Sequence, residues 1–329
     1  MNEPAVAGAE HSAVTAWRKL HSGTGLGRVP VERLQRRPKG TVYRLIGAGP
    51  AGADVVAKRS SRERIARESS AYAFLAGLPM AAVECYGTVP DAGGEHWWLF
   101  VAYAGKENYS LRLRQHRALA ARWLAALHTS CPAAPRADGV SDRSLDFYLA
   151  QLERGRSAIG EHLANPALER DEIEVLTEIV RQCEILGCRW SEVERICARM
   201  PRAFVHGDFA PKNIRVANEG VARLLAFDWA TGAWGMPAVD LPQVDLAPST
   251  YWANPDLDVY LTSVTSRWPH VTPRDLAANA AVGKTLRSIV CIQLETLGLA
   301  TDWPHGSVTK MRYYHADLRD AFRALGWQP

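Results

Sequence analysis

The sequence predicts an α+β fold in which a small antiparallel-sheet lobe precedes a larger, mostly helical lobe. Its 329 residues suffice for about two domains of roughly 150 residues each. Short β-branched and aromatic runs bounded by Gly or Pro cluster in the first third, and apolar residues recur at helical spacing after Gly105. We therefore expect an N-terminal lobe at residues 1–103 and a C-terminal lobe at residues 104–329.

The first lobe is predicted to be a sheet with a single helix. In the helical segment Ile65, Tyr72 and Leu75 fall on one face, and Gly77 with Pro79 supplies the stop. The flanking segments are rich in Val, Tyr, Trp and Ile, as strands are. The strands are expected at residues 42–46, 54–57 and 97–101, and the helix at residues 61–78.

The second lobe is predicted to be mainly helical because its apolar residues follow the helical period. Only residues 204–205 and 221–227 keep the pattern of strands. The helices are expected at residues 110–130, 145–163, 171–200, 275–297 and 308–325.

The composition is that of a globular protein, since 47% of the residues are hydrophobic and 22% are charged. The formal net charge is +4, and residues 1–103 hold the whole basic surplus. The longest basic run, at residues 35–39, is too short for the Lys/Arg cluster of a nucleic-acid-binding protein. No nucleic-acid partner is therefore expected.

Cysteine usage and hydropathy indicate the compartment. The six cysteines lack the paired spacing of metal sites, and they suggest reduced thiols. No stretch approaches the roughly 18 uncharged apolar residues of a membrane span, and the N-terminal residues do not resemble a secretory signal. We expect a cytoplasmic protein without a membrane partner, and the sequence leaves its oligomeric state open.

A glycine motif at residues 47–52 matches the dinucleotide fingerprint G-x-G-x-x-G. That fingerprint requires a helix to begin inside it, so that helix N-terminal amides face the pyrophosphate. A β-branched run, Asp54-Val55-Val56-Ala57, follows instead. The motif is therefore predicted to be the turn of a hairpin.

Three polar residues carry the chemistry. Asp208 and Asn213 lie five residues apart in a predicted loop, and Asp228 closes the next apolar strand twenty residues after Asp208. Phosphoryl transfer needs one carboxylate that orients the acceptor hydroxyl and takes its proton, and two further oxygen ligands for Mg²⁺. Asp208 can be that base, and Asn213 and Asp228 can be the metal ligands.

The chain resembles the aminoglycoside phosphotransferase and choline kinase group, the small-molecule branch of the protein-kinase-like fold. The resemblance is carried by His206-Gly207-Asp208 with Asn213, by Phe227-Asp228-Trp229, and by Gly235-Met236-Pro237-Ala238-Val239-Asp240-Leu241. Leu127-His128 also matches the family. The resemblance implies a bilobal kinase-like fold with a nucleotide-binding first lobe and a catalytic, acceptor-binding second lobe. It also implies that His206 and Asp240 support the catalytic loop.

The first lobe agrees with this resemblance. Kinases pair a strand Lys with a helix Glu to hold the nucleotide's α and β phosphates, and Lys58 and Glu68 match that pair. Glu68 could instead pair with arginines of its own helix. The backbone of Ala102 and Ala104 is expected to bind the base.

The sequence departs from the family at two places. Ala230 follows the Asp-Trp pair where many relatives carry Glu. The turn Arg37-Pro38-Lys39-Gly40, between a first strand before residue 37 and the strand at residues 42–46, holds one glycine instead of a Gly-rich flap. Lys39 of that turn can substitute in binding the terminal phosphates, although a solvated lysine explains it equally well. The implied cofactors are ATP or GTP, and Mg²⁺.

The charge balance of residues 235–329 indicates the class of acceptor. A polycationic acceptor calls for a pocket lined with carboxylates, but residues 235–329 hold 9 acidic and 8 basic side chains. This region is aromatic instead, which favours a neutral, hydroxylated acceptor such as a nucleoside-like or glycosylated antibiotic, although aromatic residues often belong to the core. The candidate acceptor residues are Trp234, Tyr251, Trp252, Trp268 and Trp303.

Four functions are weighed against each other. The favoured one is a small-molecule kinase that inactivates an antibiotic, and the second is a metabolic kinase for an amino alcohol, sugar or amino acid. A protein kinase is disfavoured because the A-P-E motif is missing and few residues separate Asp228 from Gly235. An inactive binding module would be expected to have lost one of the three polar residues. Acceptor identity and the choice of ATP or GTP stay open.

Overall fold

The computed structural model describes residues 10–21, 27–37, 40–78, 82–130, 139–217, 220–244 and 251–327. Its contacts divide the chain into two compact units. Unit 1 comprises Met1–Asn108, Ala137–Val140 and Asn213–Gly232, and unit 2 comprises Tyr109–Arg136, Ser141–Lys212 and Ala233–Pro329. The linear boundary between residues 103 and 104 stays a prediction.

The elements follow one another in the order strand-rich, then helical. In chain order they are α1 (Ser12–Leu20), β1 (Val31–Arg37), β2 (Gly40–Leu45), β3 (Val55–Ser61), α2 (Arg62–Ala76), β4 (Cys85–Pro90), β5 (His96–Ala102), α3 (Arg114–Thr129), β6 (Ser141–Arg143), α4 (Leu145–His162), α5 (Arg170–Cys188), α6 (Trp190–Cys197), β7 (Ala203–Val205), β8 (Ile214–Ala217), β9 (Arg223–Ala226), β10 (Ala233–Gly235), α7 (Leu257–Val264), α8 (Pro273–Leu299) and α9 (His305–Leu325).

Unit 1 is built on a five-stranded antiparallel sheet with strand order β1-β2-β3-β5-β4. Helix α2 packs against this sheet and buries Ile65, Tyr72 and Leu75. Helix α1 packs on the sheet through Trp17, whose indole N–H donates to the carbonyl of Ala48 at 2.9 Å. The apolar contacts between these helices and the sheet form the core of unit 1, because the apolar face of a sheet has to pack against another element.

The glycine motif is the turn of a hairpin, as the sequence predicts. Strands β2 and β3 pair antiparallel, with Leu45 opposite Val55, so residues 47–52 connect neighbouring strands. Gly47 and Gly52 have φ values of +67° and +77°, which only glycine adopts without strain. The Asp54 carboxylate accepts a hydrogen bond from the Gly47 N–H and closes the turn.

Several elements differ from the sequence prediction. The helix expected at residues 171–200 is two helices, α5 and α6, which are separated by Arg189 with φ −104° and ψ 14°. This break leaves Trp190 buried at the start of α6. Helices α1 and α7 and strands β4, β6, β8 and β10 were not expected, because long-range packing and not local periodicity selects short elements of this kind.

Unit 2 is organised around α8, which runs for 27 residues. Thr272 and Asp275 form a capping box at its start, and Pro273 occupies the first turn, where it costs no hydrogen bond. The middle of α8 is buried on nearly all sides, as expected of a helix in the centre of a domain. Among the residues that the structure describes, no helix has both the length and the apolarity that crossing a membrane requires.

Gly283 lets α8 approach the 3₁₀ turn Pro237–Asp240. A Cβ atom at this position would lie 1.7 Å from the carbonyl oxygen of Ala238, which is backbone and cannot swing away. Any larger residue must therefore push the helix and the turn apart.

We expect Gly283→Ala to lower the free energy of unfolding by at least ~1–3 kcal/mol, because the methyl group overpacks a backbone contact. Urea unfolding followed by circular dichroism measures this loss. Gly160→Ala in α4 is the matched control, since a Cβ there meets no atom within 4 Å. The control should gain up to ~1 kcal/mol from helix propensity, and equal effects at both sites would contradict the close approach.

Candidate active site

In unit 1 the side chain of Lys58 lies between two carboxylates. Its Nζ donates to Glu68 Oε2 at 2.6 Å and to Asp228 Oδ1 at 2.5 Å. Strand β3 supplies the lysine, α2 supplies Glu68, and the turn after β9 supplies Asp228. Burial alone would lower the pKa of Lys58, but the two carboxylates hold it above its ordinary value. The lysine is thus a fixed cation, and its Glu68 partner is 2% exposed.

Asn213 and Asp228 lie at one end of the β8-β9 hairpin. The two strands pair Ile214 with Ala226, and the Phe227 N–H donates to the Asn213 carbonyl at 3.0 Å. Asp228 follows directly, with φ 64° and ψ 58°, a left-handed conformation that Asp tolerates better than most residues. Its side chain is 33% exposed, so one carboxylate oxygen bonds Lys58 while the carboxylate stays accessible.

The oxygen atoms of this hairpin end suit a hard divalent cation. Mg²⁺ is commonly held by one or two carboxylates together with substrate phosphates, so the Asp228 carboxylate, with the amide of Asn213 as a further oxygen ligand, would be enough. In the described part of the chain, no group of three or more His, Cys, Asp or Glu side chains is arranged to hold a metal. Any Mg²⁺ bound here would therefore need nucleotide oxygens to complete its coordination.

The predicted base-binding segment follows β5. The Ala102 N–H donates to the Glu84 carbonyl at 2.8 Å, and the Tyr103 N–H donates to the Asp54 carbonyl at 3.1 Å. The Ala104 N–H has no hydrogen-bond partner among the residues that the structure describes. Of the two residues whose backbone is predicted to bind the base, Ala104 is thus the one whose N–H is available to a ligand. Lys39 lies outside the described residues.

In unit 2 the loop that carries Asp208 is fixed by Asp240. Strand β7 leads into the loop, and β10, its antiparallel partner, leads into the turn that ends at Asp240. The Asp240 carboxylate accepts hydrogen bonds from the N–H groups of His206 at 2.7 Å and Gly207 at 2.9 Å. The positive φ of Gly207, +71°, allows consecutive amides to reach it. The predicted supporting residues are therefore in contact with each other.

A second layer of buried polar groups holds Asp240. His128 Nε2 lies 3.3 Å from the Asp240 carboxylate, and its Nδ1 lies 2.8 Å from the hydroxyl of Tyr260. Burial alone would raise the pKa of Asp240, but the bonds from His128 and the His206 amide keep it below the ordinary value. Asp240 is 1% exposed, so it is a buried charge with each oxygen bonded.

The Asp208 carboxylate is paired with two cations. Arg287 Nη2 of α8 donates to Oδ1 at 2.5 Å, and Lys212 Nζ lies 3.0 Å from Oδ2. Partial burial would raise the pKa of Asp208, but these cations hold it below its ordinary value. The His206 ring accepts a hydrogen bond from the Asp208 N–H at 3.3 Å. Asp208 keeps 27% of its side chain exposed, enough for a hydroxyl to reach it.

Arg287, Lys212 and Tyr260 were not singled out by the sequence. Lys212 lies inside the motif of residues 206–213 and could have been found there, since a cation one turn from a loop carboxylate is within reach of it. Arg287 lies 79 residues from Asp208, on a helix whose charged residues look like an ordinary solvated face. No local signal points to it.

The predicted acceptor residues lie in different environments. Trp234 and Trp268 are each 7% exposed, and Trp252 is 1% exposed, which favours their core interpretation. Trp303 is 75% exposed. The Tyr251 ring is half-buried against the rings of Tyr313 and Tyr314.

Comparison with known proteins addresses the family and the fold. Residues 39–269 match the model of a family described as the phosphotransferase enzyme family. No curated protein sequence matches the chain significantly.

Solved structures resemble the chain over most of its length. Choline kinase from Cryptosporidium parvum Iowa II has a TM-score of 0.60 at 12% identity over 92% of both chains. Plasmodium vivax ethanolamine kinase has a TM-score of 0.62 at 13% identity over 92% of this chain and 84% of its own. The GDP complex of aminoglycoside 2'-phosphotransferase-IIIa has a TM-score of 0.62 at 14% identity over 92% of this chain and 97% of its own. The predicted kinase-like α+β fold is confirmed.

We expect Asp240→Asn to lower the free energy of unfolding by about 3 kcal/mol, since the amide cannot accept from both backbone N–H groups while facing His128. Because the pKa of Asp240 is lowered, its stabilisation is present above pH ~4. It is lost as the pH falls through the folded-state value. Urea unfolding of wild type and Asp240→Asn at pH 7 measures the loss of unfolding free energy. Asp171→Asn, at an exposed side chain, should change stability by less than ~0.5 kcal/mol, and a similar value for Asp240→Asn would refute the anchoring role.

Proposed function

Because the chain belongs to the phosphotransferase enzyme family, we propose that it is a Mg²⁺-dependent kinase for a neutral, hydroxylated small molecule. The donor is ATP or GTP, and the acceptor is an antibiotic of nucleoside-like or glycosylated type. Family membership makes the chain a phosphotransferase that acts on a hydroxyl group. The acceptor class, the metal and the residue roles are the parts that are proposed here.

The observation that carries the proposal is the ionised, accessible carboxylate of Asp208 on a loop anchored by Asp240. Phosphoryl transfer proceeds mainly through a loose transition state, in which the acceptor must be in line but loses its proton late. A weak base that orients the hydroxyl therefore suffices. Asp208 accepts the hydrogen bond of the acceptor hydroxyl and takes its proton as the new P–O bond forms and the bond from the terminal phosphorus to the leaving nucleoside diphosphate breaks.

The charged groups of unit 1 suit the nucleotide. Lys58, held by Glu68, pairs with phosphate oxygens, and the Ala104 N–H donates to the base. Asp228 and Asn213 would hold Mg²⁺, which would neutralise charge on the phosphates. Support for nucleotide use also comes from the similar aminoglycoside phosphotransferase, which is described as a GDP complex.

The acceptor class rests on charge. Acidic and basic side chains are balanced at 9 and 8 in residues 235–329, which gives little field to attract a polycation. Tyr251 and Tyr313 offer aromatic surface that is not fully buried. A metabolic kinase for an amino alcohol is the second candidate, because choline and ethanolamine kinases share the fold.

Product formation with a defined panel tests the function. The purified chain is incubated with Mg²⁺ and ATP or GTP, together with neutral nucleoside and glycosylated antibiotics, kanamycin, spectinomycin, choline or ethanolamine. Phosphorylated product is detected by mass spectrometry and ³¹P NMR. Transfer to a neutral antibiotic supports the proposal. Transfer confined to choline or ethanolamine would select the second candidate, and no transfer to any compound would contradict both.

We expect Asp208→Asn to lower kcat at least ~10²-fold while nucleotide affinity barely changes, since the amide neither accepts the proton nor carries the charge. Steady-state kinetics with saturating acceptor and calorimetry with nucleotide measure the two effects. Near-normal turnover would remove Asp208 from this role.

We expect Asp228→Ala to abolish Mg²⁺-dependent nucleotide binding, because it removes the anionic ligand of a cation that keeps few protein ligands. Calorimetry with nucleotide in Mg²⁺ and in EDTA isolates the metal-dependent part. Glu63→Ala removes an exposed carboxylate of the same unit and should bind as the wild type does. If Asp228→Ala keeps the metal-dependent affinity, Mg²⁺ is held elsewhere.

A further inference from the structure

Arg287 is a buried cation with a hydrogen-bonding group to spare. It lies on α8 one turn after Gly283, and it is 5% exposed. Its Nη2 bonds Asp208 at 2.5 Å. Its Nη1 is buried and has no hydrogen-bond partner among the residues that the structure describes. Buried donors are nearly always satisfied in native proteins, so this unsatisfied N–H, on the cation that pairs with Asp208, calls for an explanation.

The ring of Trp252 supports the guanidinium of Arg287. Its central carbon lies 4.6 Å from the ring centroid of Trp252, which is 1% exposed. The Trp252 indole N–H donates to Asp317 Oδ2 at 2.9 Å, and Lys284 lies 3.5 Å from the other Asp317 oxygen. The buried Trp252 ring is therefore a platform for the planar guanidinium of Arg287.

We propose that Arg287 determines acceptor specificity by donating from Nη1 to an oxygen atom of the acceptor, next to the hydroxyl that Asp208 orients. This inference rests on the proposed function and deepens it. The acceptor presents a hydroxyl, ether, carbonyl or carboxylate oxygen at this point. The contact adds a second hydrogen bond close to the reacting group and so fixes which hydroxyl faces Asp208.

The same site disfavours an ammonium group. Two cations, Arg287 and Lys212, pair with the single negative charge of the Asp208 carboxylate. An acceptor ammonium within reach of Nη1 would meet a permanent like charge in a partly desolvated place and could not accept its hydrogen bond. Arg287 therefore selects by repulsion as well as by attraction.

A purely structural alternative assigns Arg287 only to holding Asp208. A structural Arg–Asp pair occurs elsewhere in unit 2, where Arg202 Nη2 donates to Asp142 at 2.6 Å and also to the Trp234 carbonyl at 3.0 Å. Loss of a structural pair lowers the active fraction of enzyme for every acceptor alike. The ratio of kcat/KM for two acceptors in one preparation does not depend on that fraction, so it separates the two roles.

The experiment compares two pairs of compounds that differ mainly by a positive charge. They are glucose with glucosamine, and 3,3-dimethyl-1-butanol with choline. Each is tested as an acceptor by product detection with Mg-ATP. Each is also tested as a ligand by thermal stabilisation of the chain with Mg²⁺ and a non-hydrolysable ATP analogue. Wild type, Arg287→Met, Arg287→Lys and the control Arg202→Met are compared.

We expect wild type and Arg202→Met to have the higher kcat/KM for the uncharged compound of each pair. If neither compound is phosphorylated, the uncharged one should give the larger thermal stabilisation. In Arg287→Met the preference should shift at least 10-fold towards the charged member, mainly through KM. Arg287→Lys, which keeps the charge without the second arm, should still reject the charged member but bind the uncharged one at least 5-fold more weakly.

Two results would overturn the inference. One is a wild type without preference for the uncharged members, and the other is an Arg287→Met variant that keeps the wild-type preference within 2-fold. Should no compound of this set or of the antibiotic panel be phosphorylated, the proposed function fails. The stabilisation ranking then decides the inference by itself.

Discussion

The buried carboxylate of Asp240 is the interaction on which the candidate catalytic loop depends. A charge without access to water is tolerated only when donors surround it, and here two consecutive backbone amides and His128 do so. The loop that begins at His206 and the turn that ends at Asp240 are thereby joined. Neither the loop nor the turn can shift without leaving the buried charge of Asp240 unpaired. The position of the Asp208 carboxylate is therefore determined by the backbone of its loop.

The turn Pro237–Asp240 also determines the position of α8. Gly283 brings the helix against the Ala238 carbonyl, and Arg287 follows one turn later on the same face. The turn that holds the catalytic loop is thus in contact with the helix that carries the cation facing Asp208. A single close approach links the position of the carboxylate to the position of its partner, which explains how residues 79 apart in sequence meet at 2.5 Å.

The sequence predicted the parts of the fold and site that are encoded locally. The hairpin at residues 47–52 follows from glycines between two β-branched runs, and it is confirmed. Motif spacing predicted Asp228, and the family resemblance predicted Lys58 and Glu68. In the structure Lys58 bonds both carboxylates. Arg287 could not be predicted in this way, because nothing near it in sequence distinguishes it from a solvated helix residue.

Aromatic composition was a weaker guide for a related reason. A tryptophan in a helical region has the same local pattern whether it lines a pocket or fills a core, and only tertiary packing separates the two. Trp252 illustrates this, since it is buried and supports Arg287. The break between α5 and α6 is a similar case. The apolar periodicity of the sequence continues across Arg189, but the helical conformation of the backbone is interrupted there.

Both groups of charges are paired before a ligand arrives. Lys58 has Glu68 and Asp228, and Asp208 has Arg287 and Lys212. Under the proposed function, a ligand phosphate or hydroxyl would therefore enter by exchanging partners. It would not have to desolvate an isolated charge, which would keep the cost of binding low. The cations also make Asp208 a weaker base. This suits a reaction whose loose transition state depends more on the orientation of the acceptor than on early removal of its proton.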